Sequence, residues 1–202
     1  MVVAEAVMIT CMIDALKDRD ITVIDIPNAF VQNVVKDEEQ RVIVCIRGPL
    51  VDILVSIAPD VYGPYLSTNM AGQKVLQVQC LTAGYVTMVA ALLYYKKFVN
   101  SLAKQGYKIN PFNGCVANKV VKGMQVMIYF HIDDCKISHK SSAVIDDTIA
   151  WLRVKYESIF EDGSGQMKVH RGKTPKYLGM PLDFSHKGQC QVTMHDYIDG
   201  IL

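Results

Sequence analysis

The segment that restricts the fold of this chain most strongly is an almost unbroken apolar run, Met124–Ile132, that leads into two adjacent carboxylates, Asp133 and Asp134. A second short strand-like run, Cys135–His139, follows at once. Two strands separated only by this acidic pair predict a hairpin with both acids at its two-residue tip. Neighbouring carboxylates raise each other's pKa unless a cation lies between them, so the pattern favours a hard divalent ion such as Mg²⁺.

A third carboxylate completes this hypothesis. Asp25 ends the β-branched run Ile21–Ile24, which predicts a short buried strand. If that strand lies beside the hairpin, Asp25 faces Asp133, and three carboxylates can hold two ions roughly 3.5–4 Å apart for phosphoryl transfer. Each part also has a plain structural interpretation, because Asp-Asp is a common turn dipeptide and Asp25 could cap a helix.

Composition sets the broad class of the protein. The 202 residues carry 21 Lys and Arg against 20 Asp and Glu, and 50% of them are apolar, which excludes a disordered tail. The net charge of +1 does not point to nucleic acid, although the second half of the chain is the more basic. The six cysteines are too widely spaced for a zinc ribbon.

The N-terminal segment is a poor signal peptide, and no apolar run is long enough to span a bilayer. We therefore expect a reduced, intracellular protein with no membrane contact. The lack of a targeting segment also fits a piece cut from a larger polyprotein.

Hydrophobic periodicity predicts the elements of the fold. Helices are expected over 3–17, 28–35, 50–57, 86–104 and 141–160, with a further helical start at 196. Strands are expected over 21–24, 42–46, 75–79, 116–121, 124–132, 135–139, 168–171, 177–182 and 189–194, and a loop over 59–73. This order indicates an α+β fold, an antiparallel sheet with helices packed on one face.

Three segments carry a resemblance to a known family. Ile24–Phe30 resembles the first catalytic motif of reverse transcriptases, and His131–Asp134 resembles their aromatic-x-Asp-Asp hairpin. Lys176–Met180 resembles the primer-grip strand pair of copia-type retrotransposon polyproteins. The stretches 5–15 and 196–202 are also similar to that family, so the resemblance covers nearly the whole chain in the right order.

The resemblance implies a fold and an activity. Residues 1–202 would be the palm region of an RNA-directed DNA polymerase, with fingers and thumb largely missing and the thumb starting at most near 195–202. Two Mg²⁺ or Mn²⁺ ions would be the cofactors. The partners would be an RNA or DNA template with its primer, deoxynucleoside triphosphates, and integrase and RNase H modules of the same polyprotein, in a cytoplasmic virus-like particle or the nucleus.

The resemblance also implies roles for single residues. The catalytic metal ligands would be Asp25, Asp133, Asp134 and the backbone carbonyl of Ile26. Nucleotide-binding residues would be Tyr85 and Phe30, whose ring would exclude a 2′-hydroxyl by filling its space. Contacts to the primer or nucleic acid would come from His131, Ile132, Lys176, Tyr177, Leu178 and Gly179.

The chain departs from the family pattern in places. His131 stands where the family usually has Tyr, and Val86 and Val89 replace a glycine and a polar residue of the second core motif. Valine cannot allow the close backbone approach that glycine allows, and its side chain forms no hydrogen bond. A catalytically inactive relic is therefore an alternative function.

A two-metal nuclease is a further alternative, with His131 or His139 as the general base. A basic cluster near the expected primer grip could contact phosphates or could be a solvated turn. It comprises Lys168, His170, Arg171, Lys173 and Lys176.

Overall fold

The structure of the chain is a computed structural model that describes residues 4–27, 29, 42–80, 88–158 and 165–194. The chain divides into two compact units, one formed by 1–29 and 95–202 and the other by 30–94. The helices of the described residues are α1 Ala4–Leu16, α2 Pro49–Ile57, α3 Pro59–Tyr62, α4 Met88–Lys104 and α5 Ser142–Tyr156. The strands are β1 Asp20–Asp25, β2 Val42–Arg47, β3 Leu66–Thr68, β4 Lys74–Cys80, β5 Lys108–Ile109, β6 Val116–Val121, β7 Met124–His131, β8 Asp134–His139, β9 Lys168–Arg171, β10 Lys176–Tyr177, β11 Met180–Asp183 and β12 Gln191–Val192.

The first unit is built on a six-stranded antiparallel sheet in the order β5-β6-β7-β8-β1-β9. Strands β6 and β7 are joined by the turn Lys122-Gly123, in which both residues have positive φ, 49° and 76°. Such a two-residue turn matches the right-handed twist of the flanking strands. A three-stranded sheet, β10-β11-β12, completes this unit. The predicted antiparallel α+β class is confirmed.

The helices pack on both faces of the large sheet, so the prediction of one covered face was wrong. Tyr129 of β7 belongs to a buried cluster with Val7 and Cys11 of α1. The next residue, Phe130, points the opposite way, because successive side chains of a strand alternate between faces. Its ring lies edge-on to Phe98 of α4, with the ring centroids 4.9 Å apart. On the same face, Phe98 also contacts Tyr156 of α5.

Most predicted elements are confirmed within one or two residues, and the differences are local. The expected loop 59–73 contains α3, a 3-10 turn at Gly63–Tyr65 and β3. Helix α5 ends at Tyr156, before the predicted end, and the short strand β5 was not predicted. The single strand expected over 177–182 is a hairpin of β10 and β11. The expected helix 28–35 and the helical start at 196 lie outside the described residues.

The second unit contains the three-stranded antiparallel sheet β2-β4-β3, with α2 and α3. Its buried apolar side chains, among those described, are Val51 of α2, Val75 and Leu76 of β4, and Ala90 and Tyr94 of α4. Across the part of the chain that is described, no helix combines the length and the apolar character needed to cross a membrane.

Candidate functional site

The three acids lie together at one end of the large sheet. Asp25 is the last residue of β1 and Asp134 is the first residue of β8, and the two are paired directly across these antiparallel strands. Side chains opposite each other in such a pair have Cβ atoms about 4.5–5.5 Å apart. Asp133 precedes Asp134 in the turn of the β7–β8 hairpin. The sequence prediction that Asp25 meets the acidic pair is thus confirmed.

The detailed placement of the acids differs from the prediction. The two-residue tip consists of Ile132 and Asp133, because His131 and Asp134 already pair in the ladder. Asp25 consequently faces Asp134 rather than Asp133. The Asp133 carbonyl oxygen accepts a hydrogen bond of 2.9 Å from the Ile26 amide, which extends the β1–β8 contact by one step.

The turn itself is strained at one residue. Ile132 has a φ of 55°, a left-handed conformation that is rare for a β-branched side chain. A hairpin with a two-residue turn of this kind requires positive φ, and glycine or asparagine would adopt it more easily. With Ile132 in this conformation, Asp133 is the second turn residue, directly before the start of β8.

The acids perturb one another electrostatically. Burial is the main cause that raises the pKa of Asp134 from 3.8 to about 6, and repulsion from Asp133 and then Asp25 adds to it. Burial also raises the pKa of Asp133, with a smaller contribution from Asp25, while hydrogen bonds from backbone amides and the neighbouring His131 oppose the rise. Like charges directly opposite in a sheet are destabilising. A cation placed between them would remove this cost.

A lysine contacts one of the acids. Lys168 of β9 pairs with Asp25 in the sheet, and its Nζ lies 3.7 Å from Asp25 Oδ2. The Lys168 side chain is 73% exposed and the Asp25 side chain 38% exposed, so the ion pair is accessible to water. Lys168 belongs to the basic cluster of the sequence, but its contact with Asp25 could not be predicted because it depends on β9 pairing with β1.

The carboxylate oxygens of Asp25, Asp133 and Asp134 are of a type that binds a hard metal ion. Carboxylate oxygens are the ligands that Mg²⁺ and Mn²⁺ prefer, and three residues with carboxylates lie here at adjoining strand ends. Within the described ranges, however, no group of three His, Cys, Asp or Glu side chains is arranged to hold an ion. Side-chain rotation at Asp25, Asp133 and Asp134 would have to complete a site. The Ile26 carbonyl as a further ligand stays a prediction.

The predicted primer-contact residues lie in two hairpins. His131 and Ile132 adjoin the acids and are half-buried. Leu178 and Gly179 form the two-residue turn between β10 and β11, with φ values of 50° and 79°. The strand pair implied by the resemblance is therefore present, in place of the single strand that the apolar pattern predicts.

Tyr177 has a structural contact of its own. Its side chain is fully buried and its hydroxyl donates to the Tyr129 carbonyl at 3.4 Å. Any contact of Tyr177 with a nucleic acid would have to use its backbone. Lys176, by contrast, is exposed.

The remaining predicted residues either lie outside the described part of the structure or lie away from the acids. Phe30, Tyr85 and Val86 lie outside the described residues, as does the side chain of Val89. His139 is buried at the opposite end of β8, where its Nδ1 accepts a hydrogen bond of 2.9 Å from the Ser141 amide. It is therefore not placed as a general base beside the acids.

Arg171 of the basic cluster is occupied by two ion pairs. Its guanidinium contacts Asp146 at 2.6 Å and also Asp20. Lys173 and His170 are exposed.

A buried ionic group that was not predicted lies between α1 and β8. Asp14 of α1 contacts Lys136 and Ser138 of β8 and Arg19, and all four residues are buried. No sequence pattern predicted it. Asp14 is buried on the side of α1 that carries Val7 and Cys11, whereas the large apolar residues Met8, Ile9 and Met12 of this helix are exposed.

The fold and the acids together define an α+β protein with a carboxylate cluster at one end of an antiparallel sheet. Comparison with protein-family models and with curated proteins found no match for this chain. The resemblance to reverse transcriptases therefore rests on the motifs around Asp25, Asp133 and Lys176.

Proposed function

We propose that this chain is the palm of a template-directed DNA polymerase of the reverse-transcriptase type, from a copia-like retrotransposon. The observation that carries the proposal is the pairing of Asp25 with Asp134 across β1 and β8, with Asp133 in the adjoining turn. These are the residues on which the two catalytic motifs of the resemblance depend. Asp25 lies 108 positions before Asp133 in the chain, so their proximity does not follow from local sequence.

The acids would act by holding divalent ions. Bound Mg²⁺ or Mn²⁺ would lower the pKa of the primer 3′-hydroxyl and neutralise charge on the departing pyrophosphate. Asp134, whose pKa is about 6, has to lose its proton to serve as a ligand. The affinity for Mg²⁺ or Mn²⁺ should therefore rise as the pH is raised through about 6. Lys168 would exchange its contact with Asp25 for solvent or a phosphate.

The proposal extends to the nucleic acid. The β10–β11 hairpin, with exposed Lys176 and the turn Leu178-Gly179, would support the primer strand. His131 and Ile132, next to the acids, would lie near the primer end. Phe30 and Tyr85 would contact the incoming deoxynucleotide.

The test is metal-dependent nucleotide incorporation by the chain joined to the fingers and thumb segments of such a polymerase. Radiolabelled dTTP incorporation on poly(rA) primed with oligo(dT) should require Mg²⁺ or Mn²⁺ and should be lost in Asp25→Asn and Asp133→Asn. Asp147→Asn, an exposed carboxylate on α5, is the matched control and should leave incorporation unchanged. Equal incorporation by the parent and Asp133→Asn would remove Asp133 from the site.

An inactive relic with the same fold is the second candidate. The contact between Lys168 and Asp25 favours it, because an ammonium group beside a carboxylate competes with a metal ion. Titration with Mn²⁺, followed by its electron paramagnetic resonance signal, separates the two. The polymerase predicts binding by the parent chain that is lost in Asp25→Asn. The relic predicts no binding by the parent chain, binding restored by Lys168→Ala, and no incorporation by either.

A further inference from the structure

A cationic cavity lies at the end of the sheet opposite the acids. It has a volume of about 440 Å³ and opens between the segment after α1, the β6–β7 turn and the residue after β8. Strand β8 is 6 residues long, which separates its two ends by roughly 17 Å. The cavity is therefore distinct from the acid cluster. Its lining residues are Lys17, Arg19, Val120, Gly123, Met124, Gln125 and Lys140.

The arginine of this cavity is held in a fixed position. Arg19 is 7% exposed, and its guanidinium donates to Gln125 Oε1 at 3.0 Å and to Ser138 Oγ at 3.3 Å. Gln125 is held in turn, because its side-chain amide donates to Asn118 Oδ1 at 2.7 Å. A guanidinium positioned in this way loses little conformational freedom when it binds a ligand.

The buried charges behind the cavity do not balance. Asp14 is the carboxylate that faces both Arg19, at 3.4 Å, and Lys136. Two cations thus share one anion in a buried place, and an uncompensated buried charge is costly. Lys17 and Lys140, both exposed, add two further positive charges at the rim.

The charged residues that line the cavity are all positive. Among the described residues that form it, three side chains are cationic and none is an Asp or Glu. Asp18 adjoins Lys17 in the chain but does not line the cavity. The adjacent Asp20 is engaged with Arg171. An anion from solution would balance this arrangement.

We propose that this cavity is a binding site for a phosphate group. Lys17 and Lys140 supply point charges from the rim. The buried guanidinium of Arg19, hydrogen-bonded to Asp14, Ser138 and Gln125, adds fixed positive charge behind them. Val120 and Met124 provide an apolar wall against which the organic part of a phosphate ester packs. The phosphate belongs either to a free small ester or to the phosphodiester backbone of a nucleic acid. The proposal does not depend on the polymerase function.

The test is a titration of the full chain with inorganic phosphate in metal-free buffer containing EDTA. The amide of Gly123 and the Nε–H of Arg19, followed by ¹⁵N NMR, should shift saturably, with a Kd on the order of 1 mM. The double variant Lys17→Gln with Lys140→Gln should raise this Kd about tenfold or more. Both positions are exposed, so folding should be unaffected.

A matched pair of variants controls for net charge. Lys108→Gln with Lys155→Gln removes two exposed lysines that do not line the cavity and should leave the Kd within about twofold. Absence of a saturable shift at Gly123, or an equal loss of affinity in the control pair, overturns the proposal.

Two further titrations identify the source of the phosphate. A nucleoside monophosphate and a single-stranded oligonucleotide are compared for the same shift at Gly123. The ligand that binds more tightly, and loses affinity in the Lys17 and Lys140 double variant, is the class the cavity takes. Repeating the phosphate titration in Asp134→Asn keeps the test separate from the acid cluster, because that variant should bind phosphate unchanged.

Discussion

Replacing Asp134 with Asn should stabilise the protein at neutral and alkaline pH. The Asp134 carboxyl has a pKa of about 6 in the folded chain against 3.8 as its ordinary value. It holds its proton more tightly in the folded state than in the unfolded state. Its contribution is therefore fully present below about pH 4 and is lost as the pH rises through 6. Above that pH the ionised group destabilises the fold, and Asn removes the charge.

The size of the effect follows from the pKa. A rise from 3.8 to about 6 corresponds, at about 1.4 kcal/mol for each pH unit, to an upper limit of about 3 kcal/mol. Asp134 is only half-buried, so solvent screens part of this repulsion. We expect Asp134→Asn to raise the free energy of unfolding by about 1–2 kcal/mol at pH 8 and by less than about 0.5 kcal/mol at pH 4.

The measurement is urea denaturation followed by circular dichroism, in EDTA, at both pH values. Asp147→Asn, which changes an exposed acid on α5, serves as the control and should change stability by no more than about 0.5 kcal/mol at either pH. A parent protein as stable as Asp134→Asn at pH 8, or more stable, would show that burial and the neighbouring acids do not destabilise the ionised form of Asp134.

Three other substitutions test the packing. Gly179→Ala should lower the free energy of unfolding by about 1 kcal/mol, because the φ of 79° at this position is unfavourable for alanine. A clash would not contribute, since no atom lies within reach of the added methyl group. Gly63→Ala, at a φ of −54°, should be nearly neutral in the same denaturation assay. Lys136→Met should change the free energy of unfolding by no more than about 1 kcal/mol, because Asp14 keeps its buried ion pair with Arg19 and the excess positive charge is removed. Phe98→Ala should cost about 3–5 kcal/mol by leaving a cavity, measured as a lowered urea midpoint with unchanged slope.

Local patterns in the sequence were enough to predict most elements and the candidate acids. The apolar run Met124–Ile132, the turn residues Lys122-Gly123 and the run before Asp25 are each encoded within a few neighbouring residues. Hydrogen bonds of helices and hairpins join residues close in the chain, so periodicity and turn chemistry report them directly. The hairpin at Asp133 could be placed, although its tip was misplaced by one residue.

The resemblance to reverse-transcriptase motifs added roles for these residues that periodicity alone does not supply. It connected Asp25 with Asp133 and Asp134 through the order of the motifs along the chain. It did not specify which acid faces which, because a shift of one residue in strand pairing changes every cross-strand neighbour.

Short stretches of the chain thus encode the class of the fold and the order of its elements. They also encode the acids, Asp25 at the end of β1, Asp133 directly before β8 and Asp134 at its start. The position of β1 between β8 and β9, which sets Asp134 and Lys168 on either side of Asp25, became visible only in the folded molecule. The same holds for the helices that cover both faces of the sheet. These arrangements depend on pairing and packing between residues that are mostly far apart in the chain, and no short window of sequence contains that information.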